Sequence, residues 1–195
     1  MQKKVNKHNK FMIYPIYVYG QPVLRQVAAE IGPDYPNLQQ LIAGMFETMK
    51  VSDGIGLAAP QIGLSIRLFV VDTSSASDDD PQLKDFRKTF INAKILERWG
   101  EKEVYNEGCL SIPGIREDVV RESTIRIQYY DENFQLHEEV YDGFRARVIQ
   151  HEYDHIEGIL FIDRISPLRR KLLKSKLLNI SKGEVEANYK IKALK

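Results

Sequence analysis

Apolar residues recur along this chain in two rhythms, and each change of rhythm marks a new element. Leu38, Leu41, Ile42, Met45, Phe46 and Met49 fall three and four apart, which gathers them on one helix face, and Asp53-Gly54 ends the run. Residues 66–71, apolar except for Arg67, read as a buried strand. Short strands are expected at 90–92, 94–98 and 102–105, then longer ones at 119–130 and 135–140 joined by an Asp131-Glu132-Asn133 turn. Helical spacing returns at 144–157, with Asp142-Gly143 before it and Gly158 at its carboxyl end. It returns again at 164–178 through Leu168, Leu172, Leu173 and Leu177, while 13–18 reads as an edge strand. This order predicts an α+β class: antiparallel β-sheets packed around a central helix, with an N-terminal and a C-terminal helix.

The central helix carries the chemistry. His151-Glu152-Tyr153-Asp154-His155 places two imidazoles one turn apart on a shared face, with a carboxylate beside them. That spacing suits a divalent metal with a built-in proton carrier, hence metal-assisted hydrolysis. An amphipathic helix with buried, hydrogen-bonded histidines has the same five-residue pattern, so the rest of the chain must decide.

A catalytic metal of this kind takes three protein ligands and keeps one position open, and the helix supplies two. A metzincin site would need a histidine six residues after His155, where Phe161 stands. A glutamate from a following helix is also lacking, because 165–183 contain no acid; Glu184 and Glu186 lie in a polar tail. His8 sits in a lysine-rich start and His137 at a polar hairpin edge. Cys109 is the better candidate. It is the only cysteine, so an internal disulfide is ruled out, and Glu107-Gly108-Cys109-Leu110-Ser111-Ile112-Pro113 gives it the shape of a constrained loop. A small buried hydrophobe is the alternative for a lone cysteine. One thiolate and two neutral imidazoles would leave a divalent ion one positive charge.

A third segment, Gly54-Ile55-Gly56-Leu57-Ala58-Ala59-Pro60-Gln61, satisfies the loose dinucleotide fingerprint. Its context argues against that use, since a helical pattern precedes it and Pro60 with an extended run follows.

Taken together, the segment from Gly54 to Gln61, that from Glu107 to Ser111, and Gln150-His151-Glu152-Tyr153-Asp154-His155 resemble the three motifs of the peptide deformylase family, in order and in spacing. The resemblance runs from about residue 13 to residue 163 and shows no departure at a motif position. It implies removal of the formyl group from the starting methionine of nascent polypeptides, with release of formate. By resemblance, the metal is held by Cys109, His151 and His155; Glu152 moves the protons; and Gln61 with the Leu110 backbone N–H stabilises the oxyanion. Backbone groups around Ile55, Gly56 and Gly108 would hold the peptide as an added strand. The implied physiological metal is iron(II), although thiolate and imidazole also suit zinc, nickel and cobalt. Phe144 and Val148 share the His151 face and could wall a methionine pocket or simply fill core. Arg116 matches an arginine that follows the family's second motif, though a solvated charge is the simpler account.

Composition fits such an enzyme. With 195 residues and 43% hydrophobic content, one catalytic domain over 1–195 is expected. Residues 1–11 read as a flexible extension, 74–85 as an acidic surface loop, and 165–195 as the C-terminal helix and tail. Net charge of +1 gives no global bias toward nucleic acid or membrane, and no stretch approaches the roughly 20 apolar residues of a membrane span. Pro15 and interleaved tyrosines spoil a signal-peptide reading of the start, and a single thiol suits the reducing cytoplasm. A monomer is expected. The six basic residues and absent acids of 164–178 suggest a helix able to touch ribosomal RNA.

Overall fold

The computed structural model describes residues 12–76 and 83–194. The expected extension at 1–11 therefore lies outside the described residues, and the acidic loop is described only at its two ends. In chain order the elements are β1 (Ile16–Tyr17), α1 (Leu38–Val51), β2 (Gly56–Ala58), β3 (Leu68–Asp72), β4 (Arg87–Cys109), β5 (Ile112–Tyr130), β6 (Leu136–Asp142), α2 (Gly143–Ile156), α3 (Pro167–Leu172), α4 (Lys174–Ser181) and β7 (Ile191–Lys192). The class is α+β, as the hydrophobic rhythm predicts.

Five strands pair antiparallel in the order β2-β3-β4-β5-β6. The short strands expected between 90 and 105 are parts of one long strand, β4. Its register against β5 slips between Ile91 and Lys94, Ile95 and Glu97, and Trp99 and Lys102. Those slips are bulges, which bend a strand without ending it. Asn92 (φ +51°) and Gly100 (φ +87°) lie at two of them, so polar breaks that look like strand ends are kinks. The edge strand expected at 13–18 shrinks to two residues. Pro15 has no N–H to pair, and the Tyr14 N–H goes to Thr48 Oγ1 (2.9 Å). β1 pairs in parallel with β7, which departs from the wholly antiparallel expectation because the two chain ends run side by side in the same direction.

Apolar side chains gather in three clusters that seat the helices. The α2 face built on Ala146, Ile149 and Ile156 packs with Phe69, Val71, Ile125 and Ile127 of the sheet. The α1 stripe packs with Leu57, Leu68 and Val70. The third cluster joins Ile112, Ile115 and Val119 of β5 to Phe161, Leu173, Leu177 and Ile180. Gly158 (φ +71°) ends the α2 region in the left-handed conformation expected of a helix stop. A Cβ there would also stand 2.8 Å from the Arg25 carbonyl, so chain path and close packing both require glycine.

The expected single C-terminal helix is two short ones meeting at Leu173. Leu173 and Leu177 are buried, whereas Leu168 (68% exposed) and Leu172 (65%) face solvent rather than anchoring the segment. On a helix Leu168 and Leu172 sit roughly 140° around from Leu173 and Leu177, so only the latter pair can face the third cluster. Among the described residues, no helix is long and apolar enough to cross a membrane.

Candidate active site

Two elements converge on one point. Cys109 is the last residue of β4, and only Leu110 and Ser111 separate it from Ile112, its pairing partner at the start of β5. From the other side, α2 presents His151 and His155 with ring centroids 5.2 Å apart and planes at 78°. The Cys109 sulfur and one ring nitrogen of each histidine lie within 4.8 Å of one another. Cys109 Sγ is 3.2 Å from His155 Nε2.

The His151 ring is oriented by its surroundings, whereas the buried His155 Nδ1 has no hydrogen-bond partner among the described residues. His151 Nδ1 lies 2.9 Å from Glu107 Oε2. Burial pushes the Glu107 carboxyl upward, but its bonds from Arg121 and His151 outweigh burial and hold it well below the usual carboxylate range. An ionised Glu107 only accepts, so Nδ1–H donates to it and Nε2 is left for an ion. Phe161 stacks on the same ring at 6.2 Å. Burial pushes His155 well down, and the charge of His151 deepens the effect, which keeps the His155 ring neutral. For His151 burial acts in the same sense, but Cys109 and Glu107 reverse it.

A buried ionic network stands behind this shell. Arg121 bonds Glu107 through Nε (2.7 Å) and Nη2 (2.9 Å), and reaches Asp154 Oδ2 through Nη1 (2.7 Å). Arg147 Nη1 adds a bond to Glu107 (2.9 Å), and Arg164 Nε one to Asp154 (2.6 Å). Two carboxylates and three guanidiniums thus fix the end of β4 to α2. The motif pattern did not reveal this network. The available signal was strand parity: Glu117, Val119 and Arg121 alternate as buried positions of β5, so Arg121 occupies an inward place that a charge takes only with partners.

Glu152 is buried, and its Oε2 has no hydrogen-bond partner among the described residues. Burial is the main cause that raises its pKa to about 7. Gln61 stands in a tight turn, Ala59–Ile62. The Ala58 N–H donates to its Oε1 (2.8 Å), so the amide NH2 is turned toward Cys109 Sγ (3.4 Å) and Ser111 Oγ (3.3 Å). Pro60 opens this turn rather than leading into the extended run expected after it.

β2 is an edge strand. The Asp72 N–H donates to the Ile55 carbonyl (2.9 Å), so that carbonyl is committed to the sheet. Antiparallel alternation then turns the N–H and C=O of Gly56 away from β3, into the open groove. Of the expected peptide-holding groups, Gly56 is placed to pair and the Ile55 carbonyl is not. Gly108, Leu110, Phe144 and Val148 line the same cavity of about 700 Å³. Val148 is buried there and also belongs to the core cluster, so wall and core are one role. Arg116 folds back onto Asn106, with Nε 3.0 Å from its Oδ1, and borders the cavity beside Gly108 while remaining exposed to solvent, as a solvated charge would.

His137 stacks on Tyr129 and bonds Asp131, far from this cluster in role, and His8 lies outside the described residues. The donor set is one sulfur and two imidazole nitrogens beside an unpaired buried carboxylate. It would suit a divalent transition-metal ion held by Cys109, His151 and His155.

Comparison with known proteins agrees with this geometry. A family model described as polypeptide deformylase matches residues 13–171. The chain is 55% identical over 188 residues to a peptide deformylase of Flavobacterium johnsoniae, covering 93% of this chain and 96% of that one. It is 53% identical over 181 residues to one of Cytophaga hutchinsonii, covering 93% and 97%. Among solved structures it resembles a peptide deformylase from Legionella pneumophila, with TM-score 0.76, 35% identity and coverage of 88% and 97%. A Plasmodium falciparum peptide deformylase in complex with an inhibitor gives TM-score 0.74, 36% identity and coverage of 86% and 99%.

Proposed function

The chain belongs to the peptide deformylase family, hydrolases that remove the N-formyl group from nascent polypeptides, and we propose how its own residues divide that reaction. The observation that carries the proposal is the meeting of Cys109, His151 and His155 beside the unpaired Glu152 carboxylate. These three side chains would hold one divalent ion, which supplies Lewis acidity that polarises a carbonyl and makes water a competent nucleophile near neutral pH.

Glu152 takes the proton released as water attacks the formyl carbon and passes it to the departing amine, so formate and a free amino terminus result. Its carboxyl, raised to about 7 by burial, is poised for transfer in both directions. The Gln61 amide NH2 and the Leu110 backbone N–H donate to the oxygen that gains charge, each worth roughly 3 kcal/mol in comparable sites. Gln61 is held in place through its own carbonyl, and its NH2 would exchange the long contact to Cys109 Sγ for the oxyanion. Gly56 and Gly108 offer backbone to the formylmethionyl peptide as an added strand beside β2, and Ile55 serves as wall. Phe144 and Val148 receive the methionine side chain.

The ion is iron(II) in the cell on this proposal, with zinc, nickel or cobalt able to replace it, since sulfur and imidazole donors do not choose among them. Residues 1–195 work as one cytoplasmic, monomeric catalytic domain. The basic surface of α3 and α4 approaches the ribosome. Supporting that contact, Lys171 and Lys174 border a shallow groove with Leu177 and Leu178, next to the exposed Leu168 and Leu172. Salt-sensitive co-sedimentation with ribosomes, lost on deleting 165–195 while a Lys171→Glu, Lys174→Glu variant of unchanged activity also loses it, is the expected result.

Elemental analysis of the purified protein, combined with formate release from formyl-Met-Ala-Ser, tests the main proposal. One metal per chain and formate release are expected, and unformylated peptide should be left intact. Cleavage of unformylated peptides instead would replace the proposal with a general metallopeptidase.

A further inference from the structure

The segment after α4 crosses the mouth of the groove, and two adjacent residues in it grip opposite walls. Asn188 Nδ2 donates to Asp53 Oδ2 (3.1 Å), in the turn that opens the first motif. The Tyr189 hydroxyl donates to the Leu110 carbonyl (2.8 Å), in the turn of the second. Immediately beyond, β7 is locked to β1: the Ile16 N–H donates to the Lys190 carbonyl (2.8 Å) and the Val18 N–H to the Lys192 carbonyl (3.1 Å). Residues 188–192 are thus anchored at three places over five positions. Ala187, Asn188 and Tyr189 line the catalytic cavity.

The turn that Tyr189 grips is one that local geometry does not hold by itself. Two-residue connections between antiparallel strands favour turns with a positive φ, and neither Leu110 nor Ser111 has one. The pairing also jumps from Gly108 with Arg116 to Cys109 with Ile112, leaving 113–115 as a bulge. Such a turn needs bonds from outside. It receives three: Tyr19 N–H to the Ser111 carbonyl (2.8 Å), Gln61 to Ser111 Oγ (3.3 Å), and Tyr189 to the Leu110 carbonyl. Of these, only the Tyr189 bond reaches Leu110 itself, one peptide unit from the Cys109 sulfur.

We infer that the carboxyl-terminal strap is a working part of the site and that Tyr189 is a positioning residue: its hydroxyl fixes the Leu110–Ser111 turn, and through it the Cys109 sulfur and the Leu110 N–H. The inference rests on the roles proposed above for those two groups. The hydroxyl touches neither substrate nor reacting atoms and acts only through the turn. Loosening the turn misplaces an oxyanion donor and a metal ligand together, while Gly56 on β2 and Phe144 and Val148 on α2 keep their own supports.

Tyr189→Phe keeps the ring and removes the bond, so it is the informative variant. It and the wild type, both loaded with nickel(II), would be compared for kcat and KM on formyl-Met-Ala-Ser, melting temperature, and rate of nickel loss to a chelator. A kcat lower by about tenfold with KM within about twofold, unchanged melting and faster nickel loss is expected. An unchanged kcat, or kcat and nickel loss that follow only a lowered melting temperature, would overturn it. Absence of activity in the wild type would instead count against the proposed reaction.

Discussion

Gly56 and Glu152 are in such close contact that a Cβ on Gly56 would stand 2.3 Å from Glu152 Oε1. The first motif therefore needs glycine at 56 for a reason beyond strand pairing: the missing side chain is the space that the proton-carrying carboxylate occupies. Gly56→Ala should push the Glu152 side chain off its place, at a site where about 1 Å of misplacement can cost 10²-fold. A kcat/KM lower by roughly that factor, with normal circular dichroism and metal content, is the expected outcome. Near-normal turnover of a folded Gly56→Ala protein would show that Glu152 need not stand where it does.

Glu152→Gln removes the proton carrier and keeps its shape. Metal content should stay at the wild-type level while kcat falls by roughly 10²- to 10⁴-fold. The wild-type rate should also carry an acid limb, because only the ionised carboxylate can accept a proton. Burial raises its pKa to about 7, and a cation beside it favours the charged form, so the limb should fall at or below about 7. Steady-state rates between pH 5 and 9 measure this, and a flat acid side would assign the proton transfer elsewhere.

How much of this was legible beforehand follows from the range over which each feature is specified. The α1 stripe from Leu38 to Met49 and the turn at 131–133 are local, and spacing alone marks them. His151, Glu152 and His155 are legible because one helix turn sets their relation. Cys109 could be tied to them through motif resemblance, although it arrives from a strand 42 residues earlier than His151. The continuity of β4 was hidden by bulges at Asn92 and Gly100, whose polar and glycine residues mimic strand ends. Tyr189 left no trace at all, since its partner is a backbone carbonyl 79 residues away and any residue presents one.

Arg121 shows what buried pairing implies for stability. It is 3% exposed and is shared between Glu107 and Asp154, so Arg121→Met leaves two buried carboxylates short of a partner. Breaking such a pair costs about 3–5 kcal/mol, which urea unfolding would register as a lowered midpoint. Glu107→Gln should act differently. It also takes the shared charge from Arg121 and Arg147, but in addition it weakens the acceptor that orients His151, so metal affinity should drop by roughly 10- to 100-fold on top of a loss of stability. Competition with a chelator separates the two effects.

Toward the β6 edge of the sheet, on the face that α2 covers, Glu139 collects Lys88 Nζ (2.8 Å) and the hydroxyls of Tyr129 (2.5 Å) and Tyr141. Burial pushes its carboxyl up, but the bonds from Lys88 and the two tyrosines outweigh it and bring the pKa down to about 2, from the ordinary 4.5. A carboxylate depressed in the folded state stabilises that state above its unfolded pKa and loses the contribution as pH falls through the folded value. The side chain is 35% exposed, so solvent screening reduces the effect to on the order of 1 kcal/mol. Glu139→Gln should therefore unfold at a lower temperature than wild type at pH 7. The gap should narrow as pH falls below about 4.5 and close near 2. Melting curves across that window would check it, and a gap that stayed constant down to pH 2 would mean that the charge of Glu139 contributes nothing to folding.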